Sequence, residues 1–511
     1  MSSANLSGSV IGVVGAGAMG TGIVQVAAAA GHAVRLFDVR DGAAAAACES
    51  VRQVYASLAE KGRMSHEEAH SASTRLTPTT TLQTLSDCEL VIEAIVEDLE
   101  AKQHLFAALE AIVTDTCILA TNTSSISVTA IGARLLQPQR LVGMHFFNPV
   151  PLMALVEVIS GLATSAAVAD RIVATAVAWG KQPVRARSTP GFIVNRVARP
   201  FYAEGLRLLQ ERAADPATLD AVMRDCGGFR MGPFELMDLI GHDVNYAVTQ
   251  SVFDAYYHDP RFTPSLIQKE LLSAGFLGRK SGRGFYTYGE GAPPAPHQMA
   301  DCSYPGRPVL NKNSSIGSMI AARLGASGKE FGLTEPSIAD APVLTVNGAS
   351  LYLTDGRTAT TRAAEHGKPD TVLIDLALDF AKSTRIAMAA ADQCSEAARE
   401  AIAGVLQAAG YRVTWLRDVP GMAVMRTVAM LANEAADAVN QGVCCAGDVD
   451  LAMQKGVNYP LGPLAWAERV GVDKLLRVLQ NLGAEYGEDR YRISPLLRRV
   501  VANGSLSFGA Y

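Results

Sequence analysis

Hydrophobic and polar positions along the chain alternate between strand-like and helix-like patterns. The apolar run Val10–Val14 is followed by a glycine-rich turn and an alanine-rich helical stretch through Ala30. A second apolar run, Ala33–Phe37, ends in Asp38. Strand, turn, helix and strand in this order predict the opening of a doubly wound α/β domain. Further strands are predicted at Leu90–Ala94, Cys117–Thr121, Leu141–His145 and Leu155–Ile159, with helices at Gly42–Lys61, Leu99–Val113 and Ser127–Leu135.

The pattern changes after Pro190-Gly191. From Phe192 to about Tyr257 it is helical and apolar, and Gly289–Pro308 is rich in glycine and proline, which predicts an inter-domain linker. Residues 309–415 return to an α/β pattern without a glycine fingerprint. Strands are predicted there at Val343–Val346, Thr371–Leu376, Ile386–Ala390 and Arg412–Leu416, and a helix at Ser395–Ala409.

A repeat links the two helical regions. Pro190-Gly191 recurs as Pro420-Gly421, an offset of 230 residues (420 minus 190). The same offset relates further pairs: Val194 and Val424, Arg196 and Arg426, Glu204 and Glu434, Asp220 and Asp450, Gly232 and Gly462, Gly241 and Gly471, and Asp243 and Asp473. So many matches in one register indicate an internal duplication. We therefore predict four domains: a Rossmann-type α/β domain (1–188), an all-α domain (189–288), a degenerate α/β segment (309–415) and a second all-α copy (416–511).

Composition narrows the classes of function. The 511 residues carry a formal charge of −5 and only 19% charged side chains, with no basic block, which argues against nucleic-acid binding. The eight cysteines form no CxxC pair and no zinc-ligand spacing, so reduced thiols and no metal site are expected. No signal peptide and no apolar stretch of ~20 residues is visible, which favours a soluble cytoplasmic protein.

The glycine-rich turn is a GxGxxG fingerprint, made of Gly15, Gly17 and Gly20 with Ala18 and Met19 in the last gap. It follows a strand, opens a helix and precedes Asp38, the arrangement of a dinucleotide site. The Asp38 carboxylate suits ribose hydroxyls and repels a 2′-phosphate, so NAD is favoured over NADP. The positive charge of the nearby Arg40 weakens this argument against NADP. FAD binding and a purely structural turn are the alternatives.

Oxidation of an alcohol by hydride transfer needs a base for the hydroxyl proton, and histidine titrates closest to neutral pH. His145 ends an apolar strand and leads into the rigid loop Phe146–Pro151, where ligands of open α/β sheets bind. A core histidine without catalytic function is the alternative. Glu157 lies between aliphatic residues on the next strand, and pairing with His145 would compensate its burial. A solvent-facing Glu157 is the other interpretation.

The segment Thr121–Ser125 follows another predicted strand. Its small hydroxyl and amide side chains, including Asn122 and Ser124, suit hydrogen bonds to a substrate or to the nicotinamide ribose. They are equally typical of a helix N-cap before Ile126.

Together these residues resemble the L-3-hydroxyacyl-CoA dehydrogenase family. The resemblance extends almost continuously over residues 10–288, and its most specific elements are HFFNPVP (145–151) and PGFIVNR (190–196). Other matching motifs are GAGAMG (15–20), EAIVEDLEAK (93–102), TNTSS (121–125), MGPFELMDLIG (231–241) and GRKSGRGFY (278–286). Longer members of the family, with two such halves, include 3-hydroxyadipyl-CoA dehydrogenases of phenylacetate catabolism and related 3-hydroxybutyryl-CoA dehydrogenases.

The resemblance implies a role for individual residues. It places the base at His145, its carboxylate partner at Glu157, the substrate-contacting hydroxyl at Ser124 and the amide near the thioester at Asn195. The nicotinamide side of the cofactor is implied to contact Glu97, Lys102 and Asn148, and the coenzyme A phosphates to contact Lys61.

The expected activity is NAD-dependent oxidation of a (3S)-3-hydroxyacyl-CoA to a 3-oxoacyl-CoA. A dehydrogenase of a free hydroxy acid and a non-catalytic NAD-binding protein are the alternatives. Asn195 is replaced by Met425 in the second copy, and HFFNPVP does not recur, so the second half is expected to be non-catalytic. We expect this copy to dock on residues 190–290 as an intramolecular pseudo-dimer, with homo-oligomers also conceivable.

Overall fold

The computed structural model describes residue 6 and residues 8–289, 294–337 and 340–511. The chain divides into two compact units. The first extends to Arg196 and includes Ala438–Val457 and Tyr511, and the second contains Val197–Asp437 and Asn458–Ala510. A part of the second helical copy therefore belongs with the first sheet rather than with the rest of that copy.

The first unit is built on an eight-stranded sheet with the order β3-β2-β1-β4-β5-β6-β7-β8. Neighbouring strands run parallel, except for the antiparallel pair β6 and β7. The strands are β1 (Val10–Val14), β2 (Ala33–Phe37), β3 (Leu76–Thr79), β4 (Leu90–Glu93), β5 (Ile118–Thr121), β6 (Leu141–Phe146), β7 (Leu155–Ser160) and β8 (Gln182–Arg187).

Six helices accompany this sheet in the described residues: α1 (Ala18–Ala29), α2 (Ala43–Glu60), α3 (His66–Thr74), α4 (Leu99–Glu110), α5 (Val128–Ile131) and α6 (Ala166–Ala178). Local sequence sets several of their starts. Asp98 accepts a hydrogen bond from the Ala101 N–H at the start of α4, and Ser65 forms a capping box with Glu68 at α3. The core between sheet and helices contains fully buried aliphatic side chains from neighbouring strands, such as Ile11 and Ile92.

A helical region follows, with α7 (Val194–Val197), α8 (Arg199–Gln210), α9 (Pro216–Asp225), α10 (Pro233–Ile240), α11 (His242–Ala255) and α12 (Leu266–Ser273). Glycine and proline set its geometry. Gly232 precedes Pro233 at the start of α10, where the missing proline N–H costs nothing.

The second unit has a seven-stranded sheet with the order β10-β9-β11-β12-β13-β14-β15. Its strands are β9 (Val309–Asn311), β10 (Gly332–Thr334), β11 (Leu344–Val346), β12 (Ala349–Leu353), β13 (Thr371–Ile374), β14 (Arg385–Ala390) and β15 (Arg412–Trp415). The helices of this segment are α13 (Ser315–Ala326), α14 (Ala359–His366) and α15 (Glu396–Ala408). The chain ends with α16 (Val424–Asn440), α17 (Ala446–Gly456), α18 (Pro463–Val470), α19 (Val472–Tyr486) and α20 (Pro495–Ala502).

The duplication extends further than the sequence pattern indicates. Helix α15 has the bounds of α6 shifted by the same 230 residues, and β14 has the shifted bounds of β7. Ser165 and Ser395 cap the two helices in the same way, each accepting a backbone N–H three residues later. The degenerate α/β segment therefore repeats the second half of the first sheet.

Within the second unit, residues of the two helical copies contact each other in a reciprocal pattern. Arg261 binds Glu434 at 3.0 Å, and Tyr491 donates to Glu204 at 3.1 Å. Positions 261 and 491, like 204 and 434, are related by the repeat offset. Phe229 lies edge-on to Tyr459, its own counterpart, at 5.1 Å between ring centroids. Reciprocal pairs and a self-equivalent contact are the features of a two-fold interface.

The structure confirms the predicted fold class and changes its details. Strands β3 and β8 were not predicted, nor were β9, β10, β12 and helix α13. The predicted helix Ser127–Leu135 is only one α-helical turn, α5, continued as a 3-10 turn at Gly132–Arg134. Of the predicted linker, 290–293 lie outside the described residues. The remainder has no helix or strand, but it is fixed by hydrogen bonds such as Met299 N to Val413 O.

No helix in the described ranges is long and apolar enough to cross a membrane. The cytoplasmic location stays a prediction.

Candidate active site

The glycine turn between β1 and α1 has the geometry of a dinucleotide site. Gly15 has φ +110°, and a Cβ there would lie 2.3 Å from the Ala94 carbonyl oxygen. A Cβ at Gly20 would lie 1.8 Å from the Gly15 oxygen, so this position needs glycine for helix and strand to pack. At Gly17 a Cβ would meet nothing within 4 Å. Open space therefore lies at the start of α1, where helix N–H groups favour a pyrophosphate.

Asp38 follows β2 at the side of this turn. Its Oδ2 accepts the Ala16 N–H at 2.7 Å, and its Oδ1 accepts the Arg40 backbone and Nε hydrogens at 2.9 and 3.0 Å. The hydrogen bond from Arg40 lowers the pKa of the carboxyl to about 2. Asp38 is therefore a fixed negative charge at neutral pH, as the preference for ribose hydroxyls over a 2′-phosphate requires.

His145 and Glu157 form a buried acid–base pair. The antiparallel register of β6 and β7 places the two residues directly opposite each other. Nδ1 of His145 lies 2.7 Å from Oε2 of Glu157, with the histidine 6% and the glutamate 0% exposed. Because a carboxylate accepts hydrogen bonds, it fixes the neutral ring with the hydrogen on Nδ1 and leaves the lone pair on Nε2.

The second carboxylate oxygen of Glu157 binds the segment after Pro190-Gly191. Oε1 accepts the backbone N–H groups of Ile193 and Val194, each at 3.0 Å. The next residue, Asn195, donates its side-chain amide to the Ser124 carbonyl oxygen at 3.3 Å. One carboxylate thus orients the histidine and also fixes the segment that carries Asn195.

Glu97 organises the loop after β5. Its Oε1 accepts the N–H groups of Ser124 and Ser125 at 2.8 and 3.0 Å and the Thr123 hydroxyl at 2.7 Å. Burial would raise the pKa of Glu97, but the Lys102 charge and these hydrogen bonds outweigh it and lower the pKa to about 2. The ionised side chain therefore holds Ser124 in place.

Lys102 lies under this loop and is 1% exposed. Its Nζ is 2.6 Å from Glu93 Oε1 and 3.2 Å from Glu97 Oε2. Glu93 also accepts the Thr121 hydroxyl at 2.6 Å. The sequence analysis did not assign a role to Glu93 or Thr121. The available signal was Glu93 itself, a charged residue at the end of an otherwise apolar strand.

Two further side chains fix the strand and loop around His145. Asn122 Oδ1 accepts the N–H of Phe146 at 2.8 Å. Lys181 is buried, and its Nζ donates to the carbonyl oxygens of Val150 and Met153 at 2.5 and 2.8 Å. Burial lowers the pKa of Lys181. The role of Lys181 could not be predicted, because its partners are backbone carbonyl oxygens, which no residue type identifies.

The structure thus joins most of the predicted site residues into one network: His145, Glu157, Asn195, Ser124, Asn122, Glu97 and Lys102. Ala18 and Met19 begin α1 beside the glycine turn. Lys61 and Asn148 are exposed, and the contacts of the described residues connect neither of them to this network. The cofactor contacts implied for Glu97, Lys102 and Asn148 stay predictions.

Part of the second helical copy packs against this sheet within the first unit. Edge strand β8 donates the Arg187 N–H to Val443 O at 2.8 Å and the Arg185 N–H to Asp448 at 3.3 Å. At Gly456, the last residue of α17, a Cβ would lie 2.6 Å from a Leu155 methyl carbon and 3.1 Å from one of Val194. The second copy therefore covers the edge of the sheet and supports β7.

Family models match nearly the whole described chain. The NAD binding domain of 3-hydroxyacyl-CoA dehydrogenase matches residues 10–189, and the C-terminal domain of the same family matches 191–288 and again 421–508. Residues 351–420 match the 3-hydroxybutyryl-CoA dehydrogenase reduced Rossmann-fold domain. The repeated match of the C-terminal domain agrees with the duplication, and the NAD binding domain supports the predicted cofactor.

Individual relatives agree with these matches. The chain is 44% identical over 489 residues to a 3-hydroxyadipyl-CoA dehydrogenase of Escherichia coli K12, covering 96% of both proteins. It is 39% identical to a 3-hydroxybutyryl-CoA dehydrogenase of Mycobacterium tuberculosis, covering 54% of this chain and 98% of the relative. A crystal structure of 3-hydroxybutyryl-CoA dehydrogenase from E. coli K12 has a TM-score of 0.89 at 41% identity, covering 98% and 99% of the two chains. The chain belongs to the 3-hydroxyacyl-CoA dehydrogenase family.

Proposed function

We propose that the protein oxidises (3S)-3-hydroxyacyl-CoA thioesters to 3-oxoacyl-CoA with NAD⁺. The observation that carries this proposal is the buried pair of His145 and Glu157, in the sheet that also carries the glycine turn. Family membership and the matched NAD binding domain support it.

NAD⁺, when bound, supplies the acceptor for the hydride that leaves C3 of the substrate. The chain supplies the acid–base chemistry. His145 accepts the hydroxyl proton at Nε2, because Glu157 holds the hydrogen on Nδ1. The resulting imidazolium is stabilised by its hydrogen bond to the adjacent Glu157 carboxylate. The proton passes later to solvent, so the overall reaction releases one proton.

Ser124 and Asn195 are proposed to position the substrate, through a hydroxyl near the 3-oxygen and an amide near the thioester carbonyl. Support comes from their adjacency, since the Asn195 amide already contacts the Ser124 backbone. Glu97, Lys102 and Glu93 act as positioning residues, because they hold the loop that carries Ser124. Lys61 remains the proposed contact of the coenzyme A phosphates.

Two kinds of acyl group are candidates for the substrate. The two E. coli relatives are named for a 3-hydroxyadipyl and a 3-hydroxybutyryl thioester, and we propose that this chain acts on one or both. A free hydroxy acid is the competing substrate class.

The test is reduction of acetoacetyl-CoA by the purified protein, followed by NADH absorbance, beside acetoacetate as the matched free acid. We expect turnover of the thioester with NADH, little with the free acid, and weaker use of NADPH. Equal activity on both compounds would favour the competing class. Binding of NADH without turnover of either compound would favour a non-catalytic protein.

We also propose that the two helical copies form an intramolecular pseudo-dimer. The reciprocal contacts of Arg261 with Glu434 and of Tyr491 with Glu204, and the contact of Phe229 with Tyr459, support it. A chain truncated after residue 290 is expected to self-associate or to lose stability, as measured by light scattering and thermal unfolding. A truncated chain that is monomeric and as stable as the full chain would contradict the proposal.

A further inference from the structure

A cavity of about 700 Å³ lies in the second unit beside helix α8, away from the glycine turn in sequence. Its polar lining includes Arg199, Arg207, Thr249, Ser265 and Arg490, and it also has apolar side chains. We call it the Arg199 cavity, after the residue at the start of α8. Arg199 follows Asn195 by four positions along the chain.

Arg199 is a buried cation without an acidic partner. Its side chain is 6% exposed, its Nη1 donates to the Thr249 hydroxyl at 3.0 Å, and its guanidinium carbon lies 4.8 Å from the Tyr202 ring centroid. Among the residues that the structure describes, no carboxylate forms a salt bridge with it, and its Nε has no hydrogen-bond partner. Burial lowers the pKa of the guanidinium. Burying such a charge without an acidic partner is costly, so an anionic ligand would stabilise this side chain.

The other arginines of the cavity wall each have an acidic partner. Arg207 lies 2.5 Å from Glu488 and 3.6 Å from Glu211, and Arg490 lies 3.8 Å from Glu488. Arg261 is held by Glu434 at 3.0 Å and by Asp437 at 2.5 Å. Among the described residues of this wall, Arg199 is therefore the arginine without an acidic partner.

The side chains of the cavity favour a carboxylate over a phosphate. A single uncompensated guanidinium matches the single charge of a carboxylate better than the higher charge of a phosphate. Its planar fork suits the two carboxylate oxygens. The buried hydroxyl oxygen of Ser265, which has no partner in the described part of the chain, offers a further donor. Leu206 and Phe262 add apolar surface for an aliphatic chain.

We propose that the Arg199 cavity binds the carboxylate of an aliphatic acid, with the Arg199 guanidinium as its counter-ion. The ligand is a free aliphatic acid, which the second unit binds by itself and independently of turnover.

The test measures thermal unfolding of the full-length protein with adipate, hexanoate or inorganic phosphate. A carboxylate is expected to raise the Tm of the wild type and not that of Arg199→Met, and phosphate should not replace it. Arg490→Gln, at an arginine already paired with Glu488, is the matched control and should keep the wild-type shift. Without any ligand, Arg199→Met is expected to unfold at or above the wild-type Tm, since a buried charge without an acidic partner has been removed. If Arg199→Met fails to fold, Arg199→Lys takes its place and should retain only part of the shift.

No carboxylate-dependent Tm shift of the wild type, or an equal shift in Arg199→Met, overturns the inference. The thermal measurement does not depend on turnover, so its outcome is independent of the proposed function.

Discussion

The two sheets carry the same antiparallel strand pair, 230 residues apart, with different side chains. On β6 and β7 of the first sheet, His145 lies opposite Glu157. In the second sheet, Asp375 directly follows β13 and donates its N–H to the carbonyl oxygen of Ala387 on β14 at 2.9 Å. Asp375 is thus at the repeat position of His145, and Ala387 is at that of Glu157. The second pair has an acid in place of the histidine and an alanine in place of the glutamate.

Both buried acids have the same structural task. Glu157 accepts backbone N–H groups at 193–194, and Asp375 accepts those at 423–425, the equivalent segment of the second copy. The anchoring carboxylate has therefore changed strands between the copies while its task was kept. An acid thus anchors the equivalent segment in both copies, whereas the first copy alone has a histidine beside it.

The strand–turn–helix units at the start of the two sheets differ in a similar way. A Cβ at Gly317 in α13 would lie 2.3 Å from the Asn311 carbonyl oxygen, so the glycine needed for packing is present, as at Gly20. The turn before it, Lys312–Ser314, has no glycine. The second sheet therefore has the glycine that packing requires, but its turn lacks the small residues that admit a pyrophosphate.

The largest expected effect is a difference in turnover between variants of the two strand pairs. His145→Gln should lower turnover by about 10²- to 10⁴-fold, because it removes the proton acceptor, and should leave NADH affinity nearly unchanged. Steady-state kinetics and fluorescence titration measure the two quantities. Asp375→Asn at the equivalent position should keep wild-type turnover in the folded protein. A similar loss in both variants would show that the second pair also contributes to catalysis.

The next effect concerns stability of the second copy. Asp375→Ala leaves the buried N–H groups at 423–425 without their acceptor, and we expect unfolding to become easier by about 2–5 kcal/mol. Urea unfolding measures the change, with Asp392→Ala at an exposed position as the control. Equal stability of the two variants would mean that the acid does not anchor the helix.

Glu157→Gln separates the two tasks of one side chain. The amide keeps an oxygen for the backbone N–H groups but can present a donor to Nδ1 of His145, which disfavours the reactive tautomer. We expect turnover to fall by about 10- to 10³-fold and the pH–rate profile to shift, with little change in the urea midpoint. Loss of stability without a shifted pH profile would assign Glu157 to anchoring alone.

The smallest expected effect is a pH dependence of stability. Burial raises the pKa of Asp375 to about 6, from 3.8. Between these values the folded state binds more protons than the unfolded state, so this acid makes stability fall as the pH rises from about 4 to 6. Asp375→Asn should flatten the unfolding free energy over that range. An unchanged slope would contradict the raised pKa.

Local pattern predicted much of the first sheet and of its site. The glycine fingerprint depends on spacing along one strand, turn and helix, and the pairing of His145 with Glu157 follows from two apolar strands joined by a short loop. Strand β8 escaped prediction because this edge strand carries exposed charged side chains at Arg185 and Arg187 instead of an apolar run.

Features that depend on distant partners could not be predicted. The buried contact of Lys102 with Glu93 requires knowledge of how the loop after β4 folds back. The repeat within the α/β segment was hidden because the residues that mark the first site, His145 and Glu157, are replaced by Asp375 and Ala387. The unpaired state of Arg199 is likewise a property of its neighbours in space, not of its own segment.

The close approach of Gly456 to Leu155 and Val194 has an evolutionary consequence. A larger residue there would press on the side chain of Val194, whose backbone N–H is held by Glu157. Selection on the site around Glu157 therefore also acts on α17, more than 300 positions after His145. Once the copies had packed in this way, residue 456 could no longer change freely, although it lies outside the site.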